Sequence, residues 1–173
     1  MANDEVIKAV LEGKKKILLF RRLADQHTDA AKLAFQTNHT FTYSRELESI
    51  ITKDGTVVRP GALESEVSIE ALQSKKDPLV TMLKTATIKG EKLELWEVTV
   101  DEEVKNEEGK YPAVYCQGYL GEWEEEASAE EDATFSGTFT VEMEPQFGYA
   151  TLTAEQEEAV QYAFRDTTAD SEI

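Results

Sequence analysis

The chain turns on one stretch: Glu66-Val67-Ser68-Ile69-Glu70-Ala71, then Asp77-Pro78-Leu79-Val80, then Leu93-Glu94-Leu95-Trp96-Glu97-Val98. It reads as strand, short helix, strand. Glu66, Ser68 and Glu70 alternate with Val67, Ile69 and Ala71, the period-two pattern of a half-buried strand. Asp77 stands where a helix N-cap belongs, and Pro78 at the first helical position, where a missing N–H costs nothing. Leu79, Val80, Met82, Leu83 and Ala86 form one apolar face at helical spacing, and Gly90 supplies the stop. These signals predict a helix at about 77–89. So short a helix is marginal alone. It must dock on a sheet, and the rest of the chain has to supply the strands.

Towards the N-terminus, Ile17–Phe20 is a compact apolar strand, preceded by Lys14, Lys15 and Lys16 and closed by Arg21 and Arg22. Those cations suit phosphate, but a solvated strand boundary or an acidic protein surface suits them better. Residues 1–12 carry Val6, Ile7, Val10 and Leu11 on one face and read as a short helix or an arm. Leu33, Phe35, Thr37, Phe41 and Tyr43 trace a long strand. Residues 44–61 show no clear burial and are expected to form a long loop or a hairpin reaching out of the domain. Asp54-Gly55 is a hairpin-turn signal, and Pro60-Gly61 reads as a second turn.

Towards the C-terminus, Leu93–Asp101 and Tyr111–Trp123 are strands joined across Asn106–Gly109. Tyr115, Gln117 and Tyr119 fall on one face of the second, Cys116 and Leu120 on the other. Thr134–Met143 alternates cleanly, and Pro145–Leu152 reads as a turn with a short extended segment. Thr153 and Gln156 have capping-box spacing and open a final helix at about 154–165, with Val160, Ala163 and Phe164 as its stripe. Residues 169–173 are expected to be a frayed tail. At 173 residues, one domain over 13–168 accounts for the chain.

The formal net charge is −17, and it is unevenly placed. Residues 1–90 hold 14 Lys and Arg against 12 Asp and Glu; residues 91–173 hold 4 against 23. Neutralising nucleic-acid phosphates needs the opposite sign. A single Cys, Cys116, excludes an intrachain disulfide, and no apolar run reaches the length of a membrane span. The chain is therefore expected to be soluble and made in the cytoplasm, with no membrane insertion.

Catalytic constellations are missing from the sequence. His27 and His39 stand in no metal-ligand spacing, and the glycines form no phosphate-binding loop. The acidic run Glu122–Asp132 offers carboxylates for a hydrolase pair, but nothing positions them, and a solvated face is the plainer reading. The expectation is no catalytic residues, no metal and no cofactor.

Specific strings point further. Ile17-Leu18-Leu19-Phe20-Arg21, Lys32-Leu33-Ala34-Phe35-Gln36-Thr37, Thr52-Lys53-Asp54-Gly55, Pro60-Gly61 and Asp77-Pro78-Leu79 occur in order. They are followed by Leu95-Trp96-Glu97-Val98, Gly109-Lys110-Tyr111, Gln117-Gly118-Tyr119 and Gly148-Tyr149-Ala150-Thr151-Leu152-Thr153. In this order they resemble the major tail (tail tube) proteins of long, non-contractile-tailed phages and prophages of Gram-positive hosts. The resemblance implies a mainly β (α+β) fold, sandwich-like or barrel-like, with a flanking helix outside the sheet. It implies a structural virion protein that stacks as hexameric rings into a tail tube conducting DNA to the host. Its partners would be itself, a tape-measure protein, a tail terminator and distal tail or baseplate proteins. DNA would pass without specific binding, and assembly would occur in the host cytoplasm.

Roles follow where the strings match. Arg45, Lys53, Asp54, Gly55, Arg59 and Pro60 would lie in a loop contacting the next ring or subunit. Lys14, Lys15, Lys16, Arg21 and Arg22 would meet acidic surface of another subunit. Glu46, Glu48, Glu64, Glu66 and Glu70 are the candidate lumen acids, with ordinary solvent exposure as the alternative. Competing readings are an inner-tube protein of a contractile tail or type VI-like secretion device, and an acidic-pair hydrolase or binding module on a β-sandwich.

Overall fold

The computed structural model describes residues 9–160. The proposed helix or arm at 1–12 falls mostly outside them, as do the end of the C-terminal helix and the tail at 169–173. The strands are β1 (Lys16–Arg22), β2 (Ala31–Lys32), β3 (Gln36–Thr52), β4 (Gly55–Leu72), β5 (Leu93–Thr99), β6 (Tyr111–Glu126) and β7 (Thr134–Ala150). The helices are α1 (Pro78–Lys89) and α2 (Ala154–Val160). The strands form one seven-stranded sheet in the order β2-β1-β5-β6-β7-β4-β3, with every pair antiparallel.

The opening stretch behaves as its sequence dictates. Asp77 Oδ1 accepts from the Leu79 amide at 2.9 Å, capping α1. Its Oδ2 accepts from the Ala34 amide at 3.3 Å, which ties the helix start to the β2–β3 connection. Gly90 ends the helix in the left-handed region, at φ 69°. Leu79, Val80, Leu83 and Ala86 then bury against Leu18, Phe20, Val67, Ile69, Leu93, Leu95, Cys116, Leu120, Phe135 and Phe139. All these strand residues share one face, here called inner. A smaller cluster of Ile17, Leu19, Val98, Val100, Tyr111 and Leu152 occupies the other, outer face. Thr153 and Gln156 form the reciprocal capping box at the start of α2, with hydrogen bonds of 3.1 and 3.3 Å.

The sheet curls until β3 returns to β1. The Gln36 side chain accepts from the Leu18 amide and donates to the Leu18 carbonyl, both at 3.0 Å, so a side-chain amide does a strand's work on that edge. Nearby on the inner face, His39 of β3 meets Glu97 of β5 at 2.7 Å, and Lys16 of β1 lies 3.5 Å from the same carboxylate. Burial alone would raise the Glu97 pKa, but His39 and Lys16 outweigh it and hold the carboxyl below its ordinary value.

Two expectations change here. Of the two forms expected for residues 44–61, the projecting hairpin is the one found: they belong to β3 and β4, paired from Ser44↔Glu64 down to Thr52↔Gly55. Asp54-Gly55 does turn the chain, with Gly55 at φ 125°, but Pro60-Gly61 does not. Pro60 faces Leu47 within the ladder. It is tolerated because β7 pairs with β4 only over Glu66–Leu72, which leaves that edge of β4 without a partner to need its N–H. The second change is at Pro145–Leu152. There β7 resumes pairing, Gln146↔Tyr115 to Ala150↔Tyr111, after a bulge that sets Met143, Glu144 and Pro145 against Cys116 alone. Met143 takes φ 63° at this bulge. Below it β7 and β4 are no longer paired: the lower half of β6–β7 stays on β5, while the β3–β4 ribbon stands clear of the core.

Gly118 sits at the crowded centre of the sheet, where an added Cβ would lie 2.0 Å from the Thr140 carbonyl oxygen. Gly118→Val is therefore expected to cost about 3 kcal/mol or more. Leu83→Ala, which opens a cavity under α1, should cost about 3 kcal/mol. Denaturant titration reads both, and near-unchanged midpoints would contradict the packing. Because the folded Glu97 pKa is depressed from 4.5, its contribution to stability is complete above that pH and is lost as pH falls through the folded value. Glu97→Gln should lower the melting temperature at pH 7 and flatten its fall on acidification. An unaltered acid limb would count against the His39–Glu97–Lys16 cluster.

Candidate assembly surface

Period-two alternation gives β6, β7, β4 and β3 an outer face of one chemical kind. Its rows run Tyr119, Thr140, Glu66, Thr42; then Glu122, Thr138, Ser68, Thr40; then Glu124, Ser136, Glu70, Asn38; then Glu126 beside Thr134. Glu64 and Ser44 extend the β3–β4 side. These rows hold hydroxyls, an amide, one tyrosine and carboxylates, with no Lys or Arg. Glu64, Glu66, Glu70, Glu122, Glu124 and Glu126 are all exposed. At the margin, Lys92 pairs with Glu142.

Three of the five acids expected to face a lumen, Glu64, Glu66 and Glu70, lie in this field. Glu48 lies outside it, on the projecting ribbon opposite Arg59, and Glu46 sits at the ribbon's bulge between Arg45 and Leu47. Glu122, Glu124 and Glu126 were missed. Their signal was the alternation of Glu122, Glu124 and Glu126 with Trp123 and Glu125, hidden within a run that looked merely acidic. The run divides between the two faces. Trp123 stacks on Phe135 on the inner side at 4.6 Å, and Glu125 pairs there with Lys84 at 3.0 Å. The Lys84 hydrogen bond holds Glu125 below its ordinary pKa, opposite to what a general acid needs. Among the described residues no cluster of His, Cys, Asp and Glu could hold a metal ion. Burial pushes the Cys116 thiol up to about 12, which makes it a poor nucleophile.

The projecting ribbon carries the six residues expected at a contact. Lys53 and Asp54 form its tip, and Thr52 Oγ1 donates to the Gly55 carbonyl at 2.6 Å. Arg45 donates to the Gly61 carbonyl at 2.6 Å, bracing the bulge. Leu47, Ile51, Val57 and Val58 are exposed on the same ribbon, Ile51 at 87%. A two-stranded ribbon with bare apolar side chains is marginal unless something covers it.

Lys15 binds Asp101 at 3.1 Å, Lys16 reaches Glu97, Arg21 binds Glu94 at 2.6 Å and Arg22 Nε lies 2.9 Å from Glu91. Four of the five expected contact cations thus have an acidic neighbour within the chain, largely on β5 and its flanks. Lys14 alone keeps a highly exposed charge, 3.1 Å from Glu12.

Residues 10–147 match the phage tail tube protein family. A protein named as a tail protein in Staphylococcus phage phiMR25 is 29% identical over 157 residues, spanning 88% of this chain and 81% of that one. Among solved structures, the SPP1 tail tube aligns at a TM-score of 0.74 and 20% identity, covering 94% of this chain and 96% of that one. The virion of a gene transfer agent aligns at 0.61 and 13%, covering 80% and 99%. A chain of the sheath–tube complex of an extracellular contractile injection system aligns at 0.56 and 8%, covering 87% and 99%. At these identities the structural likenesses speak for the fold. The family match spans most of the chain, and it meets a sheet that presents an acidic face, an open edge and a projecting ribbon: the chain belongs to the phage tail tube protein family.

Proposed function

We propose that this chain polymerises as stacked six-subunit rings into the tail tube of a long, non-contractile phage tail, the conduit through which DNA leaves the virion. The cation-free outer face of β6-β7-β4-β3 carries this reading, as the wall of the lumen. Passing DNA finds no Lys or Arg there to displace its condensed counterions, so it gains nothing by stopping. Hydroxyls and carboxylates keep the wall hydrated, while α1 and the apolar core lie behind it. The β3–β4 ribbon reaches out of the subunit with exposed Leu47, Ile51, Val57 and Val58, which suits contact with the next ring. Contacts between unlike surfaces propagate, as a tube requires. Partners of this reading are further copies of the chain, a tape-measure protein inside the tube, and terminator and distal tail or baseplate proteins at its ends. An inner tube of a contractile device is the second reading. The alignment at TM-score 0.74 with the SPP1 tube, against 0.56 with the contractile system, favours the first.

Replacing residues 45–60 by a short turn should leave a folded subunit, judged by circular dichroism, that builds no tubes. Tubes of ordinary length in negative-stain micrographs would remove the ribbon from the inter-ring contact. The purified protein should not retard duplex DNA at about 0.15 M salt, whereas Glu66→Lys/Glu70→Lys/Glu124→Lys should bind it with a steep salt dependence. Retention of DNA by the unmodified protein would contradict a non-adhesive wall.

A further inference from the structure

We propose that Gln36 is a specificity-determining residue of assembly: its side chain seals the β1 edge of the sheet, so that copies of the chain cannot join there. This rests on the tube reading and adds to it the means by which a polymerising sheet keeps one of its ends closed.

The sheet ends on β2 at one side and on β3 at the other. β2 is two residues long and reaches only Leu19 and Phe20 of β1. Ahead of them β1 would be a bare edge beside a groove of about 1100 Å³, an invitation to a foreign strand. It is closed without one. The Lys16 N–H turns back to the Gly13 carbonyl. The Leu18 N–H donates to Gln36 Oε1 at 3.0 Å, and the Leu18 carbonyl accepts from Gln36 Nε2 at 3.0 Å and from the Leu33 N–H at 3.2 Å. Gln36 Nε2 also donates to the Leu33 carbonyl at 2.9 Å. One N–H and two carbonyls thus converge on a single side chain. A carboxamide answers both kinds, with an acceptor oxygen and two donor hydrogens. A glutamate has no proton for the carbonyls at neutral pH, and a methionine of the same length answers none of the three.

The backbone is bent to aim this group. In a regular strand Gln36 and Asn38 would share a face, and Asn38 lies on the outer face opposite Glu70. The ladder instead shifts between them, so that Thr37 is extra and Gln36 stands opposite Ala71, on the inner side. Bulges re-aim side chains in this way. Just before it, Phe35 takes φ 53°, a conformation that is costly for a bulky residue, yet Phe35 stays 61% exposed. Its strain is not repaid by burial, and Gln36 belongs to neither apolar cluster. What the kink and the bulge accomplish together is the placing of one carboxamide on the β1 edge.

Gln36→Met keeps the length of the side chain and removes its hydrogen bonds; Leu83→Ala serves as a variant destabilised away from the edge. In hydrogen exchange followed by NMR on the subunit, Gln36→Met should speed the Leu18 amide at least tenfold relative to that of Leu19, which pairs with Trp96 of β5. Leu83→Ala should leave that ratio unchanged. At assembly concentrations Gln36→Met should give irregular aggregates in place of most hollow tubes in negative-stain micrographs. Mixed isotopically light and heavy Gln36→Met subunits, treated with an amine crosslinker, should show light–heavy links between residues 14–16 of two copies, which unmodified tubes lack. Ordinary tubes from Gln36→Met, an unchanged exchange ratio, or the same aggregates and links from Leu83→Ala overturn the assignment and leave the tube reading in place. If Gln36→Met does not fold, the unmodified subunit decides: slow exchange of the Leu18 amide together with a Gln36 side-chain N–H upholds the seal, and exchange of Leu18 at the rate of an open amide overturns it. An unmodified chain that forms neither rings nor tubes, even when seeded with tail-tip complexes, overturns both.

Discussion

Backbone N–H and C=O groups at a sheet edge must be hydrogen-bonded by something, and this sheet meets the requirement differently at its two edges. Beside β1, two residues of β2 and the side-chain amide of Gln36 complete the ladder within the chain. Beside β3, no strand among the described residues pairs with the edge turned away from β4. A soluble monomer blunts such an edge with prolines, inward charges or a covering helix. Here the one long helix covers the inner face instead, and the free edge carries Asn, Thr and Ser. The rest of the architecture serves that arrangement. The curl holds β3 near β1, the Asp77 carboxylate fastens α1 to the β2–β3 connection, and the His39–Glu97–Lys16 cluster fixes the level at which β3 passes β5.

The division of faces follows from that edge. Strands of an antiparallel sheet can show one face to a core and one to water. In β4 this gives Val67, Ile69 and Ala71 to α1 and Glu66, Ser68 and Glu70 to the outside. The outer face changes character across the sheet. Under β1 and β5 it is apolar, with Ile17, Leu19 and Val98 beneath Leu152. From β6 to β3 it is acidic and hydroxylated. The boundary falls where Gly118 lets β6 and β7 approach closely and where, at the Met143 bulge, β7 has parted from β4.

Much of this was legible in the sequence because period and cap are local signals. The helix at Pro78–Lys89, its Asp77 cap, its Gly90 stop and the Thr153–Gln156 box are each written in a few adjacent residues. Period two marks the faces of β4 and β6, and that of β7 through Phe135, Phe139 and Val141; Met143, expected on the same face, leaves it at the bulge and is exposed. The 44–61 segment left loop and hairpin both open because a ribbon standing clear of the core buries neither face, so its alternation carries no hydrophobic mark. Pro60 looked like a turn because the sequence does not tell that its edge of β4 is unpaired. The acids Glu122, Glu124 and Glu126 were obscured by Glu125, whose side chain points to Lys84 on the opposite face. The partners of Lys15, Lys16, Arg21 and Arg22 lie more than sixty residues away along the chain, a separation that no local pattern encodes.

A wall this acidic has to survive its own repulsion. Neighbouring strands lie about 4.8 Å apart, well inside the screening length of about 8 Å at physiological salt, so facing carboxylates would repel strongly. None face each other within the block. Glu66 lies between Thr42 and Thr140, and Glu70 between Asn38 and Ser136. Glu122, Glu124 and Glu126 lie opposite Thr138, Ser136 and Thr134. Across the strands each of these acids faces a neutral hydroxyl or amide side chain, while along β6 Glu122, Glu124 and Glu126 follow one another on the same face. Ordinary solvent exposure asks only that polar groups point outward. Acids that meet hydroxyls or an amide across every strand pair of these rows, with no Lys or Arg among them, make a face that stays charged and hydrated.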